Sequence, residues 1–172
     1  MVRLIKPTLK HGTQVWQLKQ SFVDHGENKR IHGSGSLDTA ESYEAWLAKL
    51  AESHHPKDHG WVPYDTYLIM SDDQVVGILQ IRHQLNDFLL ERGGHIGYAV
   101  EPNYRRRGFA TQALKLALME CCQLGIDKAL VTCDKDNLAS AKVIKNNGGV
   151  LENEINDEEN PGKIIQRWWI KL

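Results

Sequence analysis

This chain has no apolar run long enough to cross a bilayer, no disulfide framework and no surplus of either charge. Each absence narrows what it can be. A membrane-spanning helix needs about 20 consecutive apolar residues, so no membrane partner is expected. Cys121, Cys122 and Cys133 fit neither a set of bridges nor a zinc site in number or spacing. They are expected to be reduced thiols of a cytoplasmic protein. The net charge is −1 over 172 residues, so no overall field draws nucleic acid or an acidic lipid surface. The opening MVRLIKPTLKHG lacks the apolar core and cleavage site of a signal peptide. Repeats and low-complexity tracts are also missing. What is there is material for one core: 41% hydrophobic and 25% charged residues in a chain of single-domain length.

The periodic signals give the element order. Residues 2–9 read as a strand, with Pro7 suiting a sheet edge. Residues 14–25 place Val15, Leu18, Phe22 and Val23 at helical spacing, and Gly26 stops them. The polar stretch 27–37, with Gly33-Ser34-Gly35-Ser36, is expected to be a mobile loop. Asp38, with Glu41 after it, is expected to cap a helix through Tyr43, Trp46, Leu47 and Leu50. Strands follow at 64–70 and 75–82 around Ser71-Asp72-Asp73. A stretch at 84–94 holds a short helical turn. Then come a strand at 95–100, a helix at 109–124 closed by Gly125, and a buried strand at 128–133. Asp136 or Asn137 caps a short helix that closes at Gly148-Gly149, and strands at 150–155 and 164–172 flank a hairpin loop at 157–162. The predicted fold is one α/β (α+β) domain over residues 1–172, in the order β-α-α-β-β-β-α-β-α-β-β. Its mixed, mostly antiparallel sheet has six to seven strands and about four flanking helices. The central strand–helix–strand unit implies a parallel pair.

The most informative stretch runs from His95 to Asn137. Its strand ends at Val100, Pro102 follows, and Arg105-Arg106-Arg107-Gly108-Phe109-Ala110 opens directly into a helix. Gly108 lets the backbone approach oxygens that a Cβ would push away. Arg106, Arg107, Gly108, Phe109 and Ala110 offer N–H groups that a helix start leaves unpaired, beside a positive helix end. That is a pyrophosphate grip without a P-loop lysine. Side chains of Arg105, Arg106 and Arg107 add attraction, each well-formed charge-assisted contact being worth about 1.5–3 kcal/mol. The plainer reading, a solvated basic turn, leaves Gly108 and the flanking elements unexplained.

In this setting the motif resembles that of the GNAT superfamily of acyl-CoA-dependent N-acetyltransferases, Q/R-x-x-G-x-G/A, here Arg105, Gly108 and Ala110. Asn137, Ser140 three positions on, and the Gly148-Gly149 helix end match further marks of that family. The segment GGHIGYAVEPNYRRRGFAT is also similar to a bacterial branch of predicted acetyltransferases. The resemblance implies a single N-acetyltransferase domain with acetyl-CoA as cosubstrate and no metal. It implies coenzyme contacts at Tyr98, Val100, Arg105, Arg106, Arg107, Gly108, Phe109, Ala110, Thr111, Asn137 and Ser140, with one arginine reaching the 3′-phosphate. It also implies that the strand at Tyr98 and Val100 splays from the strand at 131–133, so that pantetheine lies in the gap. The backbone N–H of Val100 would then be the oxyanion donor.

The proton chemistry is marked less clearly. Many members place a tyrosine seven residues after the asparagine to protonate the departing thiolate. That position is Ile144, which has no proton to give. Tyr98, Tyr104, Cys133 or water are the substitutes. For the base, family analogy points to His95, whose ordinary pKa of about 6.5 suits the task, or to Glu91 upstream. His95 also reads simply as a half-buried strand histidine bonded to backbone. By the same analogy loop 27–37 borders the acceptor site, where Asp24, His25 and Glu27 would attract a cationic amine. His54, His55 and His59 include an i,i+4 pair, but Pro56 spoils a helical metal site. Trp168-Trp169 should send one indole inward and one outward, the outer one a candidate contact in a homodimer. Asp157, Glu158 and Glu159 read as a solvated hairpin tip.

Two functions of different class follow. One is an N-acetyltransferase moving acetyl from acetyl-CoA to a primary amine by direct attack, the acceptor being a small metabolite, an aminoglycoside, a peptide N-terminus or a lysine. The other, motivated by Ile144, is a non-catalytic acyl-CoA-binding or regulatory module. A mononucleotide-binding α/β protein would need more parallel strands and another glycine pattern.

Overall fold

Proline sets the first boundary. β1 (Val2–Ile5) stops before Lys6-Pro7 rather than running to residue 9, because a residue before proline and the proline itself leave the ladder. The structure, a computed structural model, describes residues 1–27, 29–56 and 60–172. His59 lies outside the described residues. α1 (Gly12–Asp24) buries Val15, Leu18 and Phe22 as its spacing predicts. α2 (Tyr43–Ala51) is capped by Ser42, whose Oγ accepts the Ala45 N–H at 3.1 Å, and not by Asp38. Residues before Ser42 stay irregular because they are pinned elsewhere. Leu37 is fully buried, and the Trp46 indole donates to Ser34 O at 2.8 Å.

The hairpin β2 (Tyr64–Ser71) and β3 (Gln74–Arg82) extends on both sides to give the sheet order β1-β2-β3-β4, where β4 is Ile96–Val100. α3 (Phe109–Gln123) carries the chain across to β5 (Lys128–Asp134). α4 (Leu138–Asn146), β6 (Val150–Asn156) and β7 (Ile164–Lys171) follow, and a second sheet forms in the order β5-β7-β6. Every ladder among the described residues is antiparallel. β4 and β5, the expected parallel pair, meet at one end only. There His95 N–H donates to Leu130 O at 2.7 Å and Leu130 N–H donates to His95 Nδ1 at 3.0 Å. Beyond that stitch the two sheets part.

One face of the first sheet packs under α3 and α4, around Leu79, Ile96, Leu114, Cys121, Ile144 and Trp168. The other packs under α1 and α2, around Phe22, Leu37, Trp46, Leu68 and Ile78. Gly125, at φ +75, closes α3: its N–H bonds Cys122 O and the Ile126 N–H bonds Cys121 O. Trp168 is buried, and Trp169 is half-buried with Lys128 Nζ 4.4 Å above its ring. Asp157 departs from the expected solvated tip: it is buried against Arg92 Nη1 at 2.9 Å.

Among its described residues, loop 27–37 is seated rather than loose. Ile31, Gly33, Ser34 and Leu37 are buried. Gly33, at φ +71, lies so close to β4 that a Cβ on it would stand 2.1 Å from Gly97 O. No helix is long and apolar enough to cross a membrane among the described residues.

Candidate active site

The turn between β4 and α3 is built from its anchors upward. Glu101 is buried and accepts hydrogen bonds from Ser21 Oγ of α1 and from the Asn103 N–H. A 3-10 turn at Pro102–Tyr104 then leads into Arg106, at φ +63, and Gly108, at φ +79. Two left-handed residues with one between them gather successive amides on a single concave side. Gly108 is the N-cap of α3, and the nearest atom to a Cβ placed there is Gln112 Nε2, 3.7 Å away, so the space before it is open. The Gln112 N–H is the first to find a helical acceptor, Gly108 O at 3.1 Å. Among the described residues the N–H groups of 106–111 have no protein acceptor. Together with the helix end they form a site for an anion.

The three arginines do different things. Arg105 sends its guanidinium away from this site, into a two-pronged bond with the Glu27 carboxylate at 2.8 and 2.6 Å and onto Val100 O at 3.1 Å. Arg105 thereby holds Glu27 below the usual carboxylate range. Glu27 is therefore matched already and does not wait for a cationic amine. Asp24 takes Gln20 Nε2, and His25 Nδ1 sits against Ser21 O. Arg107 donates to Asn103 O and lies over the Tyr104 ring. Arg106 alone of the three has no partner among the described residues. Phe109 packs at a tilt against Tyr104, Ala110 is half-buried, and Thr111 gives its carbonyl to Asn147.

The edge of β4 supplies the next part. Arg82 N–H bonds His95 O, Glu101 N–H bonds Val76 O, and the register between them pairs Gln80 with Gly97 and Ile78 with Ala99. Residues 97 and 99 thus turn their amides toward β3, while 98 and 100 turn theirs outward. Because β4 is the edge of its sheet, the Val100 N–H and both backbone groups of Tyr98 face the gap toward β5. On the α3–α4 side of that gap the Tyr98 hydroxyl lies 2.9 Å from Ser140 Oγ. Burial pushes the phenol up to about 12, against the Ser140 hydrogen bond. Asn137 caps α4 and accepts the Ser140 N–H at 3.1 Å, which fixes where Ser140 stands. Ile144 is fully buried in the core. Burial pushes the Cys133 thiol up, and its Sγ lies 3.8 Å from Gln166 Oε1.

His95 and Glu91 do not stand where a base is needed. His95 is buried, and its Nδ1 lone pair is spent on the Leu130 N–H. Burial, with the Arg82 charge adding to it, pushes its pKa down to about 4. The residue is a stitch between two sheets. It also lies five strand positions from Val100, about 16 Å at strand rise, far beyond one water. Glu91 is exposed on a π-helical turn (Leu89–Gly93) tied to the second sheet through Thr132 and Arg167.

The model of the acetyltransferase (GNAT) domain family matches residues 9–150. The chain belongs to the GNAT acetyltransferase family. Its fold is similar to that of the Salmonella typhimurium acetyltransferase that modifies the N-terminal serine of ribosomal protein L7/L12 (19% identity, 99% of this chain and 95% of that one, TM-score 0.69). It is similar also to Mycobacterium smegmatis RimJ in complex with CoA-disulfide (18%, 99% and 81%, 0.74). A third likeness is to the microcin C7 self-immunity acetyltransferase MccE in complex with acetyl-CoA and AMP (15%, 99% and 92%, 0.71). No curated protein matches the chain significantly in sequence. As a GNAT acetyltransferase the protein is an acyltransferase, with acetyl-CoA as the family's cosubstrate.

On the α1–α2 side of the same strand, this GNAT domain has a cavity of about 590 Å³ that sequence reasoning missed. His32, Gly33, Ser34, Asp38, Gln80 and Arg82 contribute to its wall. The one available signal was the Gly33-Ser34-Gly35-Ser36 run, whose glycines permit the approach to β4. A second unforeseen cluster joins His54 Nε2 and His83 Nε2 to the two oxygens of Asp65, at 2.9 and 2.7 Å. Its ligand atoms are close enough to hold a metal ion, but Lys6 Nζ already sits on the same carboxylate. Burial acts to raise Asp65, and the bonds from Lys6, His54 and His83 outweigh it, leaving about 2.

Proposed function

We propose that this enzyme transfers the acetyl group of acetyl-CoA to a primary amine by direct attack, and that the acceptor is the α-amino group of a peptide or an amine of similar reach. The observation that carries the reading is the pairing of unspent amides at 106–111 with the outward backbone of Tyr98 and Val100. The first group fits a pyrophosphate, and the second fits an extended amide-bearing arm. Acetyl-CoA brings the acyl carbon and a thiol leaving group. The Val100 N–H then donates to the acyl oxygen as the amine attacks. The Tyr98–Ser140 hydroxyl pair stands where the departing sulfur can take a proton, in place of the missing phenol at Ile144. His32, on the cavity wall, is kept below its ordinary pKa by burial first and Arg30 second. The lowered pKa favours the uncharged imidazole, the form able to take up the proton that leaves the amine.

Two measurements test this. Acetyl-CoA at 100 times its Kd should add about 2.7 kcal/mol of stability, a rise of about 5–10 °C in Tm at this chain length. Thiol release should then appear across a panel of primary amines. No thermal shift sinks the coenzyme site. A shift without thiol release favours the non-catalytic reading.

A further inference from the structure

The wall of the acceptor cavity contains an unbalanced charge. Arg82 is 8% exposed, and among the described residues its guanidinium meets only neutral acceptors. Nε donates to Gln80 Oε1 at 3.1 Å, and Nη1 donates to Gly93 O and Gly94 O at 3.0 and 3.3 Å. No carboxylate among the described residues pairs with it, and its Nη2 donates to none of them. Isolated buried charges are costly and are paired as a rule. Arg30 lines the same cavity, has no partner among the described residues, and lies near enough to act on Arg82 through its charge. Two neighbouring cations thus share one wall. Lys49, Asp38 and Glu52 line the same cavity, so three cations face two carboxylates there. Lys49 Nζ is bound to Ser36 Oγ at 3.1 Å, Asp38 accepts from Ser34 Oγ at 3.4 Å, and burial lowers the His32 pKa.

Position gives this charge a purpose. A Cβ on Gly97 would lie 3.2 and 3.3 Å from Arg82 Nη2 and Nη1, so the guanidinium rests on β4 itself. Gly97 is three strand positions from Val100, about 10 Å. We infer that the acceptor carries an anionic group, a carboxylate or a phosphate, that docks on Arg82 and Arg30 within about 10 Å of the amine to be acetylated. A planar guanidinium with a free edge suits either anion in a two-point bond. The inference rests on the acetyltransferase reading and narrows its substrate.

Matched acceptors test it by thiol release. One arm uses peptides beginning Ser-Asp or Ser-Glu against Ser-Asn or Ser-Gln, with blocked C-termini. The other uses aminoalkyl phosphates against aminoalkanols of equal length. The anionic member of at least one arm should show a kcat/KM at least tenfold higher, and which arm does so identifies the anion. Arg30→Gln, at an exposed position, should cut that preference at least threefold, and Arg82→Lys should cut it further. Inorganic phosphate or succinate should stabilise the unliganded wild-type enzyme saturably and compete with the acceptor, not with acetyl-CoA. Equal kcat/KM within both arms overturns the inference and leaves the acetyltransferase reading standing. If no acceptor is turned over, that reading fails, and the absence of saturable stabilisation by phosphate or succinate overturns the anion site separately.

Discussion

Replacing Gly33 by alanine isolates the contact that holds the acceptor loop on β4. Two costs add there. An L-residue at φ +71 pays the left-handed penalty of about 1–2 kcal/mol. The new Cβ would also lie 2.1 Å from Gly97 O, 2.5 Å from Gly97 C and 2.9 Å from Tyr98 N. Those atoms belong to a strand laddered to β3, so they cannot swing aside as a flexible side chain would. Overpacking of this kind costs about 1–3 kcal/mol more. Gly26→Ala is the internal control: its φ is +70, and nothing lies within 4 Å of its Cβ. The expected losses are about 2–5 kcal/mol for Gly33→Ala and about 1–2 kcal/mol for Gly26→Ala. At about 2–4 °C per kcal/mol, thermal unfolding should place Gly33→Ala several degrees below Gly26→Ala. The acetyl-CoA shift should survive in both, while the KM for acceptor rises in Gly33→Ala alone. Equal Tm losses in the two variants would refute the claim that the loop is seated on the strand.

His95→Gln tests the stitch between sheets. The native imidazole is held at about 4, so the folded state refuses a proton that the unfolded chain accepts near 6.5. Its contribution is complete above pH 6.5 and is lost as pH falls to about 4, about 3 kcal/mol in all. Glutamine should flatten the pH dependence of stability in that window and leave the pH profile of kcat/KM unchanged; an unchanged stability slope contradicts the assignment. Tyr98→Phe should lower kcat at least tenfold while the acetyl-CoA thermal shift persists, since positioned proton donors contribute about a hundredfold or more. Undiminished kcat would remove the Tyr98–Ser140 pair from the chemistry.

The proposed donor half of the site was legible in the sequence because it is made of backbone. Gly108 before an apolar helix, and Val100 closing an edge strand, announce unpaired amides whatever the side chains do. Asn137 was legible for the same reason, since capping is local. Asp38 was misassigned because its rival Ser42 wins through Trp46 and Leu37, contacts that span the loop. His95 misled for a related reason. Its ordinary pKa is a property of the residue, but its actual one is set by Leu130 and Arg82, 35 and 13 positions away.

The proposed acceptor half follows different physics. Its wall is made of side chains from loop 27–37 and β3, brought together only when Gly33 closes on Gly97. In the chain, Arg82 is an arginine at the end of a strand, where one normally meets solvent. Only the folded structure shows that no carboxylate among the described residues pairs with it. A buried guanidinium satisfied by carbonyls on one edge, and by no described residue on the other, is a poor contributor to stability. If its role were structural, a neutral donor would hold Gly93 and Gly94 at lower cost. Its charge is accounted for by a ligand that carries the opposite one. The sequence thus announces the donor through what helix and strand ends leave unspent, and the structure constrains the acceptor through a charge the protein leaves unmatched.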